Sequence, residues 1–135
     1  MGRFAQDIQN FVNKTEHKLD LLIRKIALEM FSRIVLRSPV DEGRFRGNWQ
    51  VAIGSIPQGT LELNDLTGIA TINKIEATTL QVEAGDVIVL VNNLPYGPRL
   101  ENGYSQKKAP AGMVGVTVQE FQDIARQVGL EIVRL

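Results

Sequence analysis

The sequence predicts an α+β fold in which a long N-terminal helix and a C-terminal helix pack on a small, mainly antiparallel sheet. Apolar residues recur at helical spacing over residues 4–36. The segment 86–92, DVIVLVN, is apolar enough for a central strand, and the segment 117–128 has the pattern of a second amphipathic helix. A chain of 135 residues suits one domain, 1–135.

The long helix is predicted to occupy residues 1–36 and to end before Pro39, which biases the preceding residue away from helical geometry. A straight helix of this length measures about 50 Å, more than a compact chain of this size spans. The helix therefore either projects from the sheet and helices of 37–135 or breaks. Asn13 followed by Glu16 has the pattern of a second N-cap, which favours a kink near residue 13.

Two rows of apolar residues run along the predicted helix. The main row follows helical spacing and contains Phe4, Ile8, Phe11, Val12, Leu19, Leu22, Ile23, Ile26, Met30 and Ile34. The second row lies outside it, in the second half of the helix, and contains Leu21, Leu28, Phe31 and Val35. Either the helix is buried on two sides within its own domain, or one face meets the core and the other meets another subunit.

The next predicted elements alternate between strands and short helices. Residues 48–55 alternate apolar and polar side chains as a half-buried strand does, and 57–68 is rich in turn-forming residues and is predicted to be a loop. Three isoleucines at a spacing of three indicate a short helix over 68–79, and the strand 86–92 follows.

Beyond the second strand, a short helix is predicted from Pro98 to Asn102, closed by Gly103. Residues 105–113 are predicted to form an exposed loop. The final helix, 117–128, should end at Gly129, after which LEIVRL alternates like a short terminal strand.

Charge is unevenly distributed along a chain whose net charge is zero. Residues 1–47 carry nine basic against six acidic side chains, 48–106 carry two against six, and 107–135 carry four against three. A neutral chain is a poor generic binder of nucleic acid, because that affinity comes from phosphate neutralisation. Separated charge instead allows one face to meet the opposite face of another copy.

No catalytic or metal-binding constellation can be nominated. The single histidine, His17, lies on a polar helix stretch and is predicted to be solvated, and the absence of cysteine excludes thiolate sites. Asp41 is predicted to stabilise the turn after the helix, and Glu83 and Asp86 are predicted turn residues around Gly85. With neither a P-loop nor a GxGxxG motif, we expect no enzyme, cofactor or metal.

The most concentrated segment is SPVDEGRFRGNW, residues 38–49. Arg44 and Arg46 could contact phosphate while Phe45 or Trp49 stacks on a base, so a small nucleic-acid-binding module is the alternative function. The other interpretation is structural: the aromatic rings anchor a turn in the core while the arginines pair with carboxylates. It assigns core or turn roles to Pro39, Asp41, Gly43, Phe45, Gly47, Trp49, Tyr96 and Gly103.

The order of several motifs resembles the tail completion, neck or head–tail joining proteins of long-tailed bacteriophages. A Pro-Val-Asp-x-Gly-Arg turn and a Trp-bearing strand follow the helix, and an Asn-x-x-x-Tyr segment, a Leu-Glu-x-Gly element and a Pro-x-Gly-Met loop come later. The matching positions are Pro39, Val40, Asp41, Gly43, Arg44, Trp49, Asn92, Tyr96, Leu100, Glu101, Gly103, Pro110, Gly112 and Met113.

The resemblance implies a structural virion protein that forms a ring, six-fold in this family, between portal-side and tail-tube proteins. It also implies a location in the virion neck or tail after assembly in the host cytoplasm, with DNA passing the lumen without sequence-specific binding and no role at a membrane. The expected basic interface residues are Arg33, Arg37, Arg44 and Arg46. The expected acidic ones are Glu62, Asp65, Glu76, Glu83 and Glu101, with Phe31 at the apolar centre.

Overall fold

A computed structural model describes residues 2–103, 109 and 112–134. These residues form six helices and two strands, which confirms the predicted α+β class. The elements are α1 (Gly2–Arg37), α2 (Arg44–Gly47), β1 (Trp49–Ile53), α3 (Ile69–Thr79), β2 (Ile88–Asn92), α4 (Gly97–Glu101), α5 (Val114–Gln119) and α6 (Phe121–Val133). No helix within the described ranges is long and apolar enough to cross a membrane.

The first half of α1 projects from the rest of the chain. Every described residue from 2 to 17 is exposed, a length of about 24 Å at 1.5 Å per residue. The helix is unbroken, so the predicted second helix start at Asn13 is wrong; the Asn13 side chain instead accepts a hydrogen bond from Gln9 at 3.0 Å. The loop between α3 and β2 contacts α1 at Asp20, whose carboxylate accepts the backbone N–H of Ala84 at 2.8 Å.

The second half of α1 is buried on two sides by its own chain. One side joins a core that contains Val35, Phe45, Trp49, Ile75 and Met113. The other side packs against α6 and consists of Leu21, Leu22, Ile26 and Met30. Of the two alternatives for the second apolar row, burial within the same chain is the one observed. Phe31 is partly buried against the first core, so it does not form an exposed apolar centre.

The sheet contains β1 and β2 in antiparallel pairing, with Trp49 opposite Asn92 and Ile53 opposite Ile88. Both predicted strands are confirmed to within two residues at their ends. The predicted loop before α3 contains neither helix nor strand, and α3 packs against both α1 and β1. The short helix α4 is followed by Gly103 at φ +83°, a left-handed conformation that glycine adopts at little cost, as predicted.

The C-terminal segment differs from its prediction. Gly129 does not end the helix, and the expected terminal strand is helical through Val133. The reason is packing: Ile124, Val128 and Ile132 repeat every four residues and are all buried against α1. This burial outweighs the preference of glycine for a helix end. The alternation seen after Gly129 was too short to distinguish a strand from a continued helical stripe.

Most of the predicted loop 105–113 lies outside the described residues, which include Ala109, Gly112 and Met113 from that segment. All three are buried, so the expectation of exposure is wrong for them. Met113 is 1% exposed and packs in the core that includes Trp49.

Candidate functional site

The aromatic residues of the 38–49 segment face inward. Trp49 is 7% exposed, and its indole Nε1–H donates to Ser38 Oγ at 2.7 Å. The Ser38 hydroxyl in turn donates to the carbonyl of Ile34 in the last turn of α1. Phe45 packs edge-on against Trp49 with ring centroids 5.7 Å apart, and Tyr96 covers Phe45 at 5.6 Å. The Trp49 side chain therefore ties β1 to the end of α1.

Two glycines in this segment allow the following loop to approach the turn. Gly43 has φ +83°, and a Cβ there would lie 2.7 Å from backbone atoms of Asp65. At Gly47 a Cβ would clash with the Leu63 carbonyl oxygen. These close approaches place the segment around residues 63–66 directly on the turn, so both glycines are required by packing.

Asn48 was not singled out from the sequence, although it is fully buried. Its Nδ2 donates to the carbonyls of Arg44 and Leu61, at 2.7 and 3.1 Å. Its Oδ1 accepts the backbone N–H of Leu61 at 2.7 Å. The side-chain amide thus imitates a strand partner for Leu61, and only the tertiary structure reveals this pairing.

Arg46 closes the C-terminal end of α1. Its Nη2 donates to the carbonyls of Leu36 and Ser38, at 2.9 and 3.0 Å, and its Nη1 donates to the carbonyl of Leu66 at 2.9 Å. Carbonyls at a helix C-terminus lack intrahelical partners and carry partial negative charge, so a guanidinium stabilises them. Burial lowers the pKa of Arg46, and the charge of Asp65 opposes that shift.

Asp65 is 6% exposed, so it does not belong to an acidic surface patch. Its carboxylate accepts the Thr71 hydroxyl at 2.7 Å, the Thr71 backbone N–H at 2.8 Å and the Gly68 N–H at 3.0 Å. Burial alone would raise the pKa of Asp65, but these hydrogen bonds and the charge of Arg46 outweigh it and lower the pKa. Asp65 therefore stabilises the start of α3.

Arg33 and Arg37 are engaged within the chain. Arg37 contacts Glu120 through both terminal nitrogens, at 2.7 and 2.8 Å, and Arg33 reaches Glu120 at 3.2 Å and Glu29 at 2.8 Å. The hydrogen bond from Arg37 is the main reason that the pKa of Glu120 falls to about 2. These pairs join α1 to the junction of α5 and α6. Of the four predicted basic interface residues, Arg44 alone is classed as exposed.

Glu101 is also engaged within the chain. Its Oε1 accepts the backbone N–H groups of Met113 and Val114, at 3.1 and 2.8 Å, and its Oε2 accepts that of Gly115 at 2.9 Å. Burial would raise the pKa of Glu101, but the three backbone hydrogen bonds outweigh it and lower the pKa. At Gly112 a Cβ would clash with the Glu101 carbonyl oxygen. The Leu-Glu-x-Gly element thus holds the N-terminus of α5.

The remaining acidic candidates, Glu62, Glu76 and Glu83, are exposed. The predicted turn beyond α3 is confirmed: the backbone N–H of Glu83 donates to Asp86 at 2.8 Å, and the glycine between them has φ +95°. Asp41 is exposed and makes no hydrogen bond with any described residue, so its predicted turn-stabilising bond is absent there.

The nucleic-acid interpretation required exposed rings beside free arginines. Phe45 and Trp49 are 5% and 7% exposed, and Arg46 is bound to backbone carbonyls. No ring within this segment is available for base stacking. Within the described ranges no cluster of three or more His, Cys, Asp or Glu side chains is arranged to hold a metal.

Among the exposed apolar side chains of the described residues, two groups lie at opposite ends of α1. The N-terminal stripe, on the projecting part of α1, consists of Phe4, Ile8, Phe11, Val12 and Leu19. Its two phenylalanines are 71% and 72% exposed. The Arg46 patch consists of Leu36, Leu66 and Ile69, each more than half exposed, around the carbonyls that Arg46 binds.

No protein-family model, no curated protein and no solved structure matches this chain.

Proposed function

We propose that this chain is a structural virion protein that assembles into a ring at the head–tail junction of a long-tailed bacteriophage. The observation that carries the proposal is the N-terminal stripe, which leaves five large apolar side chains exposed along a projecting helix. An apolar stripe that the other described residues leave uncovered is typical of a surface that binds a partner.

The burial available on this stripe is considerable. A phenylalanine contributes roughly 150–250 Å² when fully buried, so Phe4 and Phe11 at their exposures offer about 300 Å² between them. At about 25 cal/mol per Å² this area corresponds to roughly 7 kcal/mol before the costs of association are subtracted. Burial of these side chains in a protein interface would therefore contribute substantially to binding.

The resemblance to neck and tail completion proteins supplies the setting. The residues that carry it are structural in this fold: Gly43 admits the loop onto the turn, Trp49 ties β1 to α1, and Glu101 joins the Leu-Glu-x-Gly element to the Pro-x-Gly-Met loop. A motif set that specifies a scaffold supports an assembly role and no enzymatic one. Portal-side and tail-tube proteins are the expected neighbours, with the virion as the location and six as the expected ring number.

Light scattering and native mass spectrometry of the purified chain test the proposal, with negative-stain microscopy to visualise rings. We expect one closed species of defined stoichiometry, six subunits by the resemblance, and no retention on DNA at physiological salt. A folded monomer at high concentration would contradict self-assembly. A two-fold dimer would contradict a head-to-tail ring, because its contacts are self-complementary. Salt-dependent retention of a monomer on DNA would favour the nucleic-acid alternative.

A further inference from the structure

The N-terminal stripe lies on the same face of α1 that α6 covers further along. Ile8 and Leu19 fall on one helical row with Leu22, Ile26 and Met30, and the last three pack against α6. Since α6 buries this row further along, the uncovered continuation is suited to an apolar partner surface.

Among the described residues, the segments that cover this face of α1 end at a defined point. α6 runs antiparallel to α1: Glu120, just before its start, meets Arg37, and Glu131, near its end, meets Lys25 at 2.6 Å. The loop after α3 reaches α1 at Arg24, which donates to the Val82 carbonyl at 2.6 Å, and at Asp20. The residues on the N-terminal side of that loop contact are those of the stripe.

The Arg46 patch is a compact apolar surface at the opposite end of α1. A Cβ at Gly68 would lie 3.4 Å from the Leu36 side chain, which places the start of α3 beside the end of α1. The Arg46 guanidinium binds the carbonyls of both Leu36 and Leu66 and fixes their relative position. These hydrogen bonds hold the two backbone segments that carry the patch next to each other.

The charges around the two surfaces are complementary. The segment 2–19 carries three cations, Arg3, Lys14 and Lys18, against two carboxylates. Asp41 and Glu42 are exposed and directly precede Gly43, where a Cβ would lie 2.7 Å from the Leu66 backbone, and Glu62 is exposed in the loop that leads to Leu66. These three carboxylates outnumber the two cations of the same turn, Arg44 and Arg46. The arrangement has the opposite polarity to the one predicted from sequence, because three of the four arginines expected at the surface bind groups within the chain.

We infer that the N-terminal stripe of one copy packs on the Arg46 patch of the next copy. Phe11 and Leu36 are separated by 25 residues of continuous helix, about 38 Å, so a chain cannot place its own stripe on its own patch. Two different surfaces at opposite ends of one subunit make a heterologous contact, which generates a ring when its rotation closes. This contact rests on the proposed self-assembly and specifies the surfaces that produce it.

The test uses one charge on each surface. Phe11→Asp alters the stripe and Ile69→Asp alters the patch; both side chains are more than 60% exposed, and aspartate suits the first turn of α3. Each variant should weaken assembly at least about 100-fold, as loss of an interface hot spot does, with an unchanged circular dichroism spectrum of the subunit. Leu130→Asp, at an exposed site on α6, is the matched control and should assemble normally.

Mixing the two variants gives the sharpest result. Phe11→Asp retains an intact patch and Ile69→Asp retains an intact stripe, so the mixture should form a one-to-one heterodimer that cannot extend. A ring of Phe11→Asp with wild-type size would overturn the inference and leave the ring proposal intact. Full assembly of Ile69→Asp with none for Phe11→Asp would also overturn it, because the stripe would then pair with itself. A monomeric wild-type chain would overturn the ring proposal and the inference together.

Reversing one charge beside each surface tests the proposed contact independently. Lys14→Glu and Glu42→Lys should each weaken assembly, and the doubly reversed chain should recover most of it, since rim charges act mainly on association rate and on salt dependence. Equal loss in the single and double variants would contradict the proposed pairing of the two surfaces.

Discussion

Replacement of Trp49 by alanine should lower the free energy of unfolding by about 4 kcal/mol. Trp49 is 7% exposed, and an indole buries roughly 150–250 Å², which at about 25 cal/mol per Å² corresponds to 4–6 kcal/mol as an upper estimate. Truncations of Phe or Trp to Ala in a closed core typically cost about 3–5 kcal/mol, because a cavity remains. The two approaches agree on about 4 kcal/mol.

The hydrogen bond and the packing can be measured separately. Trp49→Phe keeps most of the ring contact with Phe45 but removes the 2.7 Å donor to Ser38, and should cost about 2 kcal/mol. Ser38→Ala keeps the indole but leaves its N–H without that acceptor, with a cost of about 1–3 kcal/mol. The double variant should cost less than the sum of the two, since both changes remove the same bond.

Urea unfolding followed by circular dichroism is the appropriate assay. The measurement is made at one protein concentration and repeated after tenfold dilution, because assembly adds concentration-dependent stability. A loss smaller than about 1 kcal/mol in Trp49→Ala would refute the core role of the indole. A loss of DNA binding by that variant with unchanged stability would instead restore the stacking interpretation.

Three further perturbations test the internal contacts. Glu101→Ala should cost about 1–2 kcal/mol in urea unfolding, the range for a lost helix N-cap, and Glu101→Gln should cost less because it keeps one acceptor. Gly43→Ala should cost at least about 2 kcal/mol, since it adds a Cβ at 2.7 Å from backbone in a left-handed conformation; an unchanged urea midpoint would contradict this geometry. Folding lowers the pKa of Glu120 from its ordinary value of 4.5 to about 2, so the ionised carboxylate stabilises the fold at pH values above about 4.5. This stabilisation is lost as the pH falls from 4.5 towards about 2. Glu120→Gln should therefore flatten the acid unfolding curve in that window, and an identical pH profile would argue against the pair with Arg37.

The sequence predicted the elements whose signals are local. Pro39 marked the end of α1, the alternation around Trp49 marked β1, and Gly103 marked the end of α4. Each of these signals depends on the conformational limits of a few neighbouring residues. The continuation of α6 beyond Gly129 was missed, because the burial of Ile132 against α1 depends on contacts more than 100 residues away along the chain.

The partners of the charged residues could not be predicted for the same reason. Arg37 and Glu120 are 83 residues apart, and Glu101 meets backbone groups 12 to 14 residues further along the chain. From the sequence alone, these residues are charged and are therefore predicted to lie on the surface. Their use at helix ends, where unpaired backbone groups need partners, becomes visible when the chain is folded. Asn48 illustrates this most clearly, since its sequence context gives no sign that it pairs with Leu61.

Substitutions at exposed positions of α1 test assembly, whereas substitutions at its buried positions test folding. Phe31 was the expected apolar centre, but it packs against the core, so Phe31→Asp would introduce a charge into partly buried surroundings and destabilise the subunit. Phe11 has the same side chain and is 72% exposed on the same helix, so Phe11→Asp removes apolar contact area without changing the core. Five of the nine charged residues that sequence reasoning placed at an interface stabilise the fold through internal contacts: Arg33, Arg37, Arg46, Asp65 and Glu101. The N-terminal stripe, by contrast, lies on the exposed part of α1. Loss of assembly with retained folding therefore identifies an interface at Phe11, and loss of both identifies the core at Phe31.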